Sequence, residues 1–422
     1  MKVLLVGGGG REHALAWKIS QSPRCEALFI APGNAGTAQV GTNVDISPTD
    51  FAAMDHLIAQ EGIDMVVVGP EQPLVVGIAD YFEAQGIPVI GPNKAAAQLE
   101  GSKAFSKYFM EKYHIPTAKY KSFEDHQIDE AFNYLRNHPL PVVVKASGLA
   151  AGKGVLICET KDEAVKAVKD MLSGEAFGNS GRTVIIEEFL KGVEASIFLL
   201  TDGKDYLLLP TAKDYKRVGE GDTGLNTGGM GAVSPAPFID SEMIALIEQT
   251  IIQPTLEGLQ SEGLTYQGFI FIGLMIVDKV PYVLEYNARM GDPETQVIIP
   301  RLNNDLLDLL EATTNGTLKA QELDIDPQTC VTVVLVSGGY PGPYEKGMEI
   351  TGLAKVENSW VFHAGTIAEG KQVLTNGGRV LAISSLGANI EQAVHQSLTN
   401  AVNIEFEGQY YRTDIGKDLL DY

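Results

Sequence analysis

In residues 281–297, PYVLEYNARMGDPETQV, Glu285 and Asn287 stand two positions apart. The apolar run 269–277 (FIFIGLMIV) reads as a strand, DKVP as a turn and 281–287 as the returning strand. Side chains alternate along a strand, so Glu285 and Asn287 share one face. A carboxylate beside an amide oxygen suits a hard cation such as Mg²⁺, which takes few protein oxygens and leaves its other positions to phosphate and water. Arg289 follows at the same spacing, and Gly291, Asp292 and Pro293 break the strand. The same letters also fit an ordinary hairpin end at the surface. The rest of the chain bears on that choice.

A second group of chemistry-bearing residues lies in 141–194. The strand PVVVKA ends on Lys145 and Ala146, and the loop SGLAAGKGV follows with Ser147, Gly148, Gly152, Lys153 and Gly154. This loop joins two strands, so it is not a P-loop, which leads into a helix. A glycine-rich hairpin can still close over phosphates with its N–H groups, with Lys145 as a point charge. A flexible hairpin with surface lysines is the alternative. The strand TVIIEEF ends in Glu187, Glu188, Phe189 and Leu190; backbone groups of such a linker can pair with an adenine edge. Glu194 stands where ribose hydroxyls could donate to it. Either carboxylate could instead be solvated. Lys103, on the helical stretch 93–110, is by itself an ordinary solvated lysine. The stretch 211–237 reads as one long irregular loop with Lys213, Lys216 and Arg217, a functional loop that meets anions.

These residues need a scaffold. The run VLLV (3–6) enters four glycines as a buried parallel strand, and a helix follows over 11–21. Strands at 27–31, 65–68 and 89–90 alternate with helices near 50–61 and 74–85, which predicts a parallel α/β sheet. A dinucleotide fold is disfavoured. In G-x-G-x-x-G the third glycine would fall on Glu12 or His13, and Ala31-Pro32-Gly33-Asn34 stands where an acidic residue is needed. A glycine-rich turn at a helix start still offers N–H groups to an anion. Farther on, a helix near 125–137, the strand 141–146, a second strand VLICE, a helix 161–172 and the strand 183–189 make one compact unit. Residues 298–314 read as helix, 315–328 as linker, and the remainder as β-rich with a hairpin at Asn376-Gly377-Gly378 and a helix near 388–402. His363 reads as a structural histidine rather than a base.

With 422 residues the prior is about three domains. A formal net charge of −22 disfavours a nucleic-acid binder or an anionic membrane surface. The three cysteines are far apart and show no metal or disulfide spacing, so a reducing cytoplasm is expected. The apolar start is too short for a signal peptide, and no run reaches the roughly 20 residues of a membrane span.

Lys145, the glycine hairpin, EEFL and E-x-N together resemble the ATP-grasp superfamily. Across the chain, GGREHAL, APGNAGT, GPEQPL, GLAAGKGV, NTGGMGA, GDPETQ, VFHAGT and TNGGRVL are similar to the glycinamide ribonucleotide synthetase family, the phosphoribosylamine–glycine ligases. The resemblance implies a multidomain α/β fold. Its parts are an N-terminal α/β domain (1–102), an ATP-grasp region (103–327) with a mobile lid at about 121–190, and a C-terminal α+β domain (328–422). It implies ATP and Mg²⁺ (or Mn²⁺) as cofactors and ligation of glycine to 5-phosphoribosylamine through glycyl phosphate, in purine synthesis. ATP would be held by Lys103, Lys145, Ser147, Gly148, Gly152, Lys153, Gly154, Glu187, Glu188, Phe189, Leu190 and Glu194, and the metal by Glu285 and Asn287. Arg289 and Lys145 would be catalytic. The substrates would meet Gly9, Gly10, Arg11, Glu12, Pro32, Gly33, Asn34, Glu71, Asp214, Lys216, Arg217, Asn226, Gly228, Gly229, Met230, Arg289, Asp292 and Pro293. Ser147, Tyr215, Leu225 and Met290 depart from the family pattern. A monomer is expected, with a dimer as the alternative. Rival readings are another ATP-grasp carboxylate–amine ligase, an NAD-dependent dehydrogenase and a non-catalytic nucleotide-binding module.

Overall fold

The fold is described from a computed structural model over residues 1–149, 154–173 and 182–422. Lys2–Gly7 forms the centre of a five-stranded parallel sheet. Its neighbours are Ala27–Pro32 and Met65–Val68, with Thr42–Asn43 and Val89–Ile90 at the edges. Both faces are covered, which explains why VLLV shows no polar alternation. Leu4, Val6 and Val66 pack with Met54, Ile58 and Phe82, whereas Val3, Leu5 and Ile30 pack with Leu306, Leu309 and Leu310. The helix Leu306–Thr314 therefore covers the N-terminal sheet from far along the chain.

The expected helix over 74–85 is two short helices, Glu71–Val76 and Ile78–Glu83. Gly77 between them sits at φ 101°, a left-handed conformation that ends the first. The stretch 93–110 breaks at Ser102, whose side chain caps the helix Lys103–Lys112 by accepting from the Phe105 N–H. The helix expected over 298–314 is also interrupted. Thr295–Ile298 passes into a tight turn at Ile299–Arg301 around Pro300 before Leu306–Thr314 begins.

Two antiparallel sheets form the middle. Tyr206–Leu208, Val193–Thr201, Gly268–Val277 and Val280–Asn287 make one, backed by the helices Ser241–Ile247 and Gln253–Ser261. The other runs Tyr120–Glu124, Thr183–Glu188, Val142–Ala146 and Val155–Cys158, covered by Ile128–Asn137 and Lys161–Leu172. It encloses its own core around Phe123, Leu135 and Val144. Gly152 and Lys153 lie outside the described residues.

The stretch 211–237 is not irregular. Lys213–Asp214 and Gly231–Ser234 join the C-terminal sheet beside Thr329–Val336, Arg379–Gly387 and Trp360–His363, and Arg217–Gly219 pairs with Thr223–Asn226 as a hairpin. The partner of Gly231–Ser234, Thr329–Val336, lies about a hundred residues away, so no local pattern announces that pairing. Among the described residues no helix is long and apolar enough to cross a membrane.

Candidate functional site

Three sheets and the helix Lys103–Lys112 meet around a cavity of about 460 Å³. The strand Val280–Asn287 supplies Glu285 and Asn287, in register with Gly273 and Phe271 on the neighbouring strand. The register skips Leu284, leaving a bulge whose carbonyl accepts from Lys145 Nζ at 3.4 Å. Both expected metal ligands line the cavity. Asn287 is buried and its Nδ2 has no hydrogen-bond partner, and no described lysine or arginine forms a salt bridge with Glu285. A carboxylate and an unengaged amide are a donor set that fits a hard divalent cation needing few protein oxygens. Among the described residues no cluster of three or more His, Cys, Asp or Glu offers a fuller metal cage.

Lys145 and Lys103 also line the cavity. The backbone N–H of Lys103 donates to Ser147 O at 2.8 Å, and its Nζ to Gly148 O at 3.2 Å, so the helix start is tied to the lid loop. Ser147 accepts from the Ala104 N–H through its hydroxyl, a structural task that needs no acid at this position. Glu187 stands near the end of the strand Thr183–Glu188. The strand continues through Glu188, and the Glu187 carboxylate is buried between Lys145 (2.8 Å) and Lys107 (3.1 Å). Glu188 accepts from the Lys119 N–H.

Arg289 faces the cavity with its guanidinium already engaged. Nη2 lies 2.7 Å from Glu100 and Nε 3.5 Å from Glu71. Burial pushes Glu100 up to about 7, with Arg289 pulling the other way. Lys216 pairs with Glu194 (2.6 Å) and Asp214 (3.2 Å). Burial raises Asp214, and burial with Asp214 raises Glu294 to about 7. Lys216 and Asp214 line the cavity, as do Gly228, Asp292, Glu71 and Arg11.

A second cavity of about 410 Å³ lies between the N-terminal loops and the C-terminal domain. Gly7–Gly9, Glu12 and Pro32–Asn34 line one side, Ala364–Thr366 and Asn376 the other. Gly8 is required by close approach: a Cβ there would lie 2.6 Å from Gly33 O. At the start of the first helix the Gly9 N–H donates to Glu12 at 2.6 Å. Asn34 spends its amide on Gly8 O and His363 O, clamping the two domains. His363 is structural, as expected: buried beside His13, it pairs with Thr366.

Some expected residues stand outside both cavities. Met230 is fully buried in a core with Ala14 and Phe362, so its side chain is packing, not site. Arg217 donates to Gly224 within its own hairpin, and Asn226 is exposed at that hairpin's base. Gly229 and Pro293 pack on each other, since a Cβ on Gly229 would lie 2.4 Å from Pro293. Gly10 opens the first helix against Gln296. Phe189 is exposed beyond the strand end, next to Leu190. Tyr215 donates to Asp418 in the C-terminal core, and Met290 is buried.

Sequence reading missed Lys107, Glu100, Glu294 and Arg379, all of which line the main cavity. Arg379 reaches in from the C-terminal domain and donates to Gly228 O and Asp292 O, each at 2.7 Å. Glu294 and Arg379 lie inside the motifs GDPETQ and TNGGRVL, which was the available signal. Lys107 and Glu100 lay in no motif.

A lid sheet and a body sheet closing lysines and an E-x-N strand around one cavity define the ATP-grasp class. The phosphoribosylglycinamide synthetase N domain matches residues 1–100, its ATP-grasp (A) domain 101–295 and its C domain 330–418. The chain belongs to the phosphoribosylglycinamide synthetase family. It is 50% identical over 420 residues to the phosphoribosylamine–glycine ligase of Pasteurella multocida, covering 99% of this chain and 97% of that one. It is 48% identical to the Vibrio cholerae phosphoribosylamine–glycine ligase, covering 99% and 98%. The crystal structure of the Thermotoga maritima phosphoribosylamine–glycine ligase superposes with a TM-score of 0.87 at 36% identity, over 98% of this chain and all of that one. The biotin carboxylase domain of Hydrogenobacter thermophilus 2-oxoglutarate carboxylase shares the fold at 16% identity, with a TM-score of 0.73 over 98% and 92% of the two chains.

Proposed function

We propose that the main cavity joins glycine to 5-phosphoribosylamine with ATP, through glycyl phosphate, a step of de novo purine synthesis. Family membership supports the ligase activity. The observation that carries the residue roles is the convergence of Lys103, Lys145, Glu285, Asn287 and Arg289, from separate segments, on one cavity.

A carboxylate does not react with amines at neutral pH; its acyl phosphate, a mixed anhydride, does. Moving the γ-phosphoryl group needs charge neutralisation and alignment. Lys103 and Lys145 serve the phosphates as point charges. Glu285 and Asn287 would hold a divalent cation, Mg²⁺ or Mn²⁺, which when bound neutralises β- and γ-phosphate charge. Arg289, held in place by Glu100 and Glu71, presents guanidinium N–H donors to the glycine carboxylate. The amine of phosphoribosylamine then attacks the glycyl carbonyl. The carbon–oxygen bond to phosphate breaks, phosphate leaves, and the nitrogen loses a proton. The second cavity, through Gly9, Pro32, Gly33 and Asn34, takes the phosphoribosyl group. The free cysteines, far apart in sequence, suit a reducing cytoplasm.

The test follows one oxygen atom. Glycine labelled with heavy oxygen in its carboxylate should pass one label into inorganic phosphate per turnover, beside ADP. Mass spectrometry of the phosphate reads this. Unlabelled phosphate during product formation, or release of AMP and pyrophosphate, rules the mechanism out.

A further inference from the structure

Lys107 lines the main cavity, and the proposed chemistry gives it no task. Its side chain is 2% exposed, on the body helix Lys103–Lys112. Its Nζ donates to Thr117 Oγ1 at 2.7 Å, and that hydroxyl donates to Val283 O at 2.6 Å on the E-x-N strand. On its other side it meets Glu187 at 3.1 Å. Glu187 and Lys145 belong to the lid sheet, on adjacent strands where Lys145 pairs with Ile185, two residues before Glu187. The ion pair between Lys107 and Glu187 thus crosses from body to lid.

We infer that Lys107 is a positioning residue for nucleotide binding: by sharing Glu187 it leaves Lys145 a net positive charge at the cavity. This rests on the reading that Lys145 grips ATP phosphates. Two lysines on one carboxylate carry a net charge of +1. With Lys145 alone on Glu187 the pair would be neutral, and phosphate would have to compete with a buried carboxylate for that lysine. Burial pulls Lys107 down to about 8, with Glu187 opposing, so the pairing is what keeps it charged at neutral pH.

Calorimetric titration with Mg–ATP, glycine omitted, tests the role. Lys107→Met should raise the ATP dissociation constant about tenfold. It should raise KM for ATP while leaving KM for glycine unchanged. In Lys107→Met/Glu187→Gln the competing carboxylate is gone, so ATP affinity should return to within about threefold of wild type. A residue that merely packs would not be rescued by losing a second polar partner. Should Lys107→Met lose its cooperative melt, Lys107→Gln, which keeps hydrogen-bonding capacity, should show the same direction with a smaller shift. Unchanged ATP affinity in a folded single variant, or a double variant no better than the single, overturns the inference. Glycine-dependent ADP release by the wild type is measured alongside. Its absence would overturn the ligase reading, whereas normal release with an unshifted Lys107 variant overturns the Lys107 role alone.

Discussion

The two cavities are built from different material. The main one is walled by charged side chains that meet from separate segments, as in Arg289 with Glu100, Lys107 with Glu187 and Arg379 with Asp292. The second is walled largely by backbone, with glycines and prolines on the N-terminal side and Ala364–Thr366 opposite. In the first, a substitution removes a partner and leaves a charge uncompensated. In the second, it changes how closely two loops approach. Transfer of a phosphoryl group needs the first kind of wall, and recognition of a shaped, hydroxylated substrate can use the second.

The sharpest way to break this contrast is at the charged wall. Glu285→Gln keeps the shape and removes the charge, so turnover should fall about 10²–10³-fold or the divalent-metal requirement should rise. Steady-state rates across a metal titration check it, and wild-type behaviour would reduce E-x-N to a hairpin end. The backbone wall should respond differently. Gly8→Ala forces a Cβ to 2.6 Å from Gly33 O, a backbone atom that can yield only by moving the loop. A destabilisation of about 1–3 kcal/mol is expected, with KM for phosphoribosylamine raised and ATP affinity kept. Urea unfolding and substrate titrations separate the two effects. A pure stability loss with unchanged KM would remove the second cavity from the site.

The smallest effect concerns the seam beside that cavity. Burial lowers His13 to about 3, with His363 adding to it, and lowers His363 to about 4. Both are held neutral in the native state, while the unfolded chain takes up protons near the ordinary value of about 6.5. Their folded values are depressed, so the native state binds fewer protons. Stability is therefore fully present above about 6.5 and declines as pH falls toward 4. Urea midpoints between pH 7.5 and about 4.5 should fall, and His363→Asn should start lower but show a shallower slope. Equal slopes would mean that the histidines do not carry the acid sensitivity.

Glu285 and Asn287 were legible because a strand's period of two decides which side chains share a face, whatever the strand packs against. Lys145 was legible as a lysine closing an apolar strand before glycines, and the alternating start of the chain gave its parallel sheet. The partners of the Glu187 carboxylate were not legible, since nothing local shows that it faces two lysines. The stretch 211–237 looked irregular because its strands complete a sheet whose other members begin near residue 329.

What the sequence determined by itself was local: periodicity, turn chemistry, and the motifs that carry the family. Tertiary structure decided which charges meet. Glu100 meets Arg289 across 189 positions, Lys107 meets Glu187 across 80, and Arg379 meets Asp292 across 87. A carboxylate's proton affinity and a lysine's remaining charge depend on burial and on partners within a few ångströms. Those distances exist only once the sheets have packed.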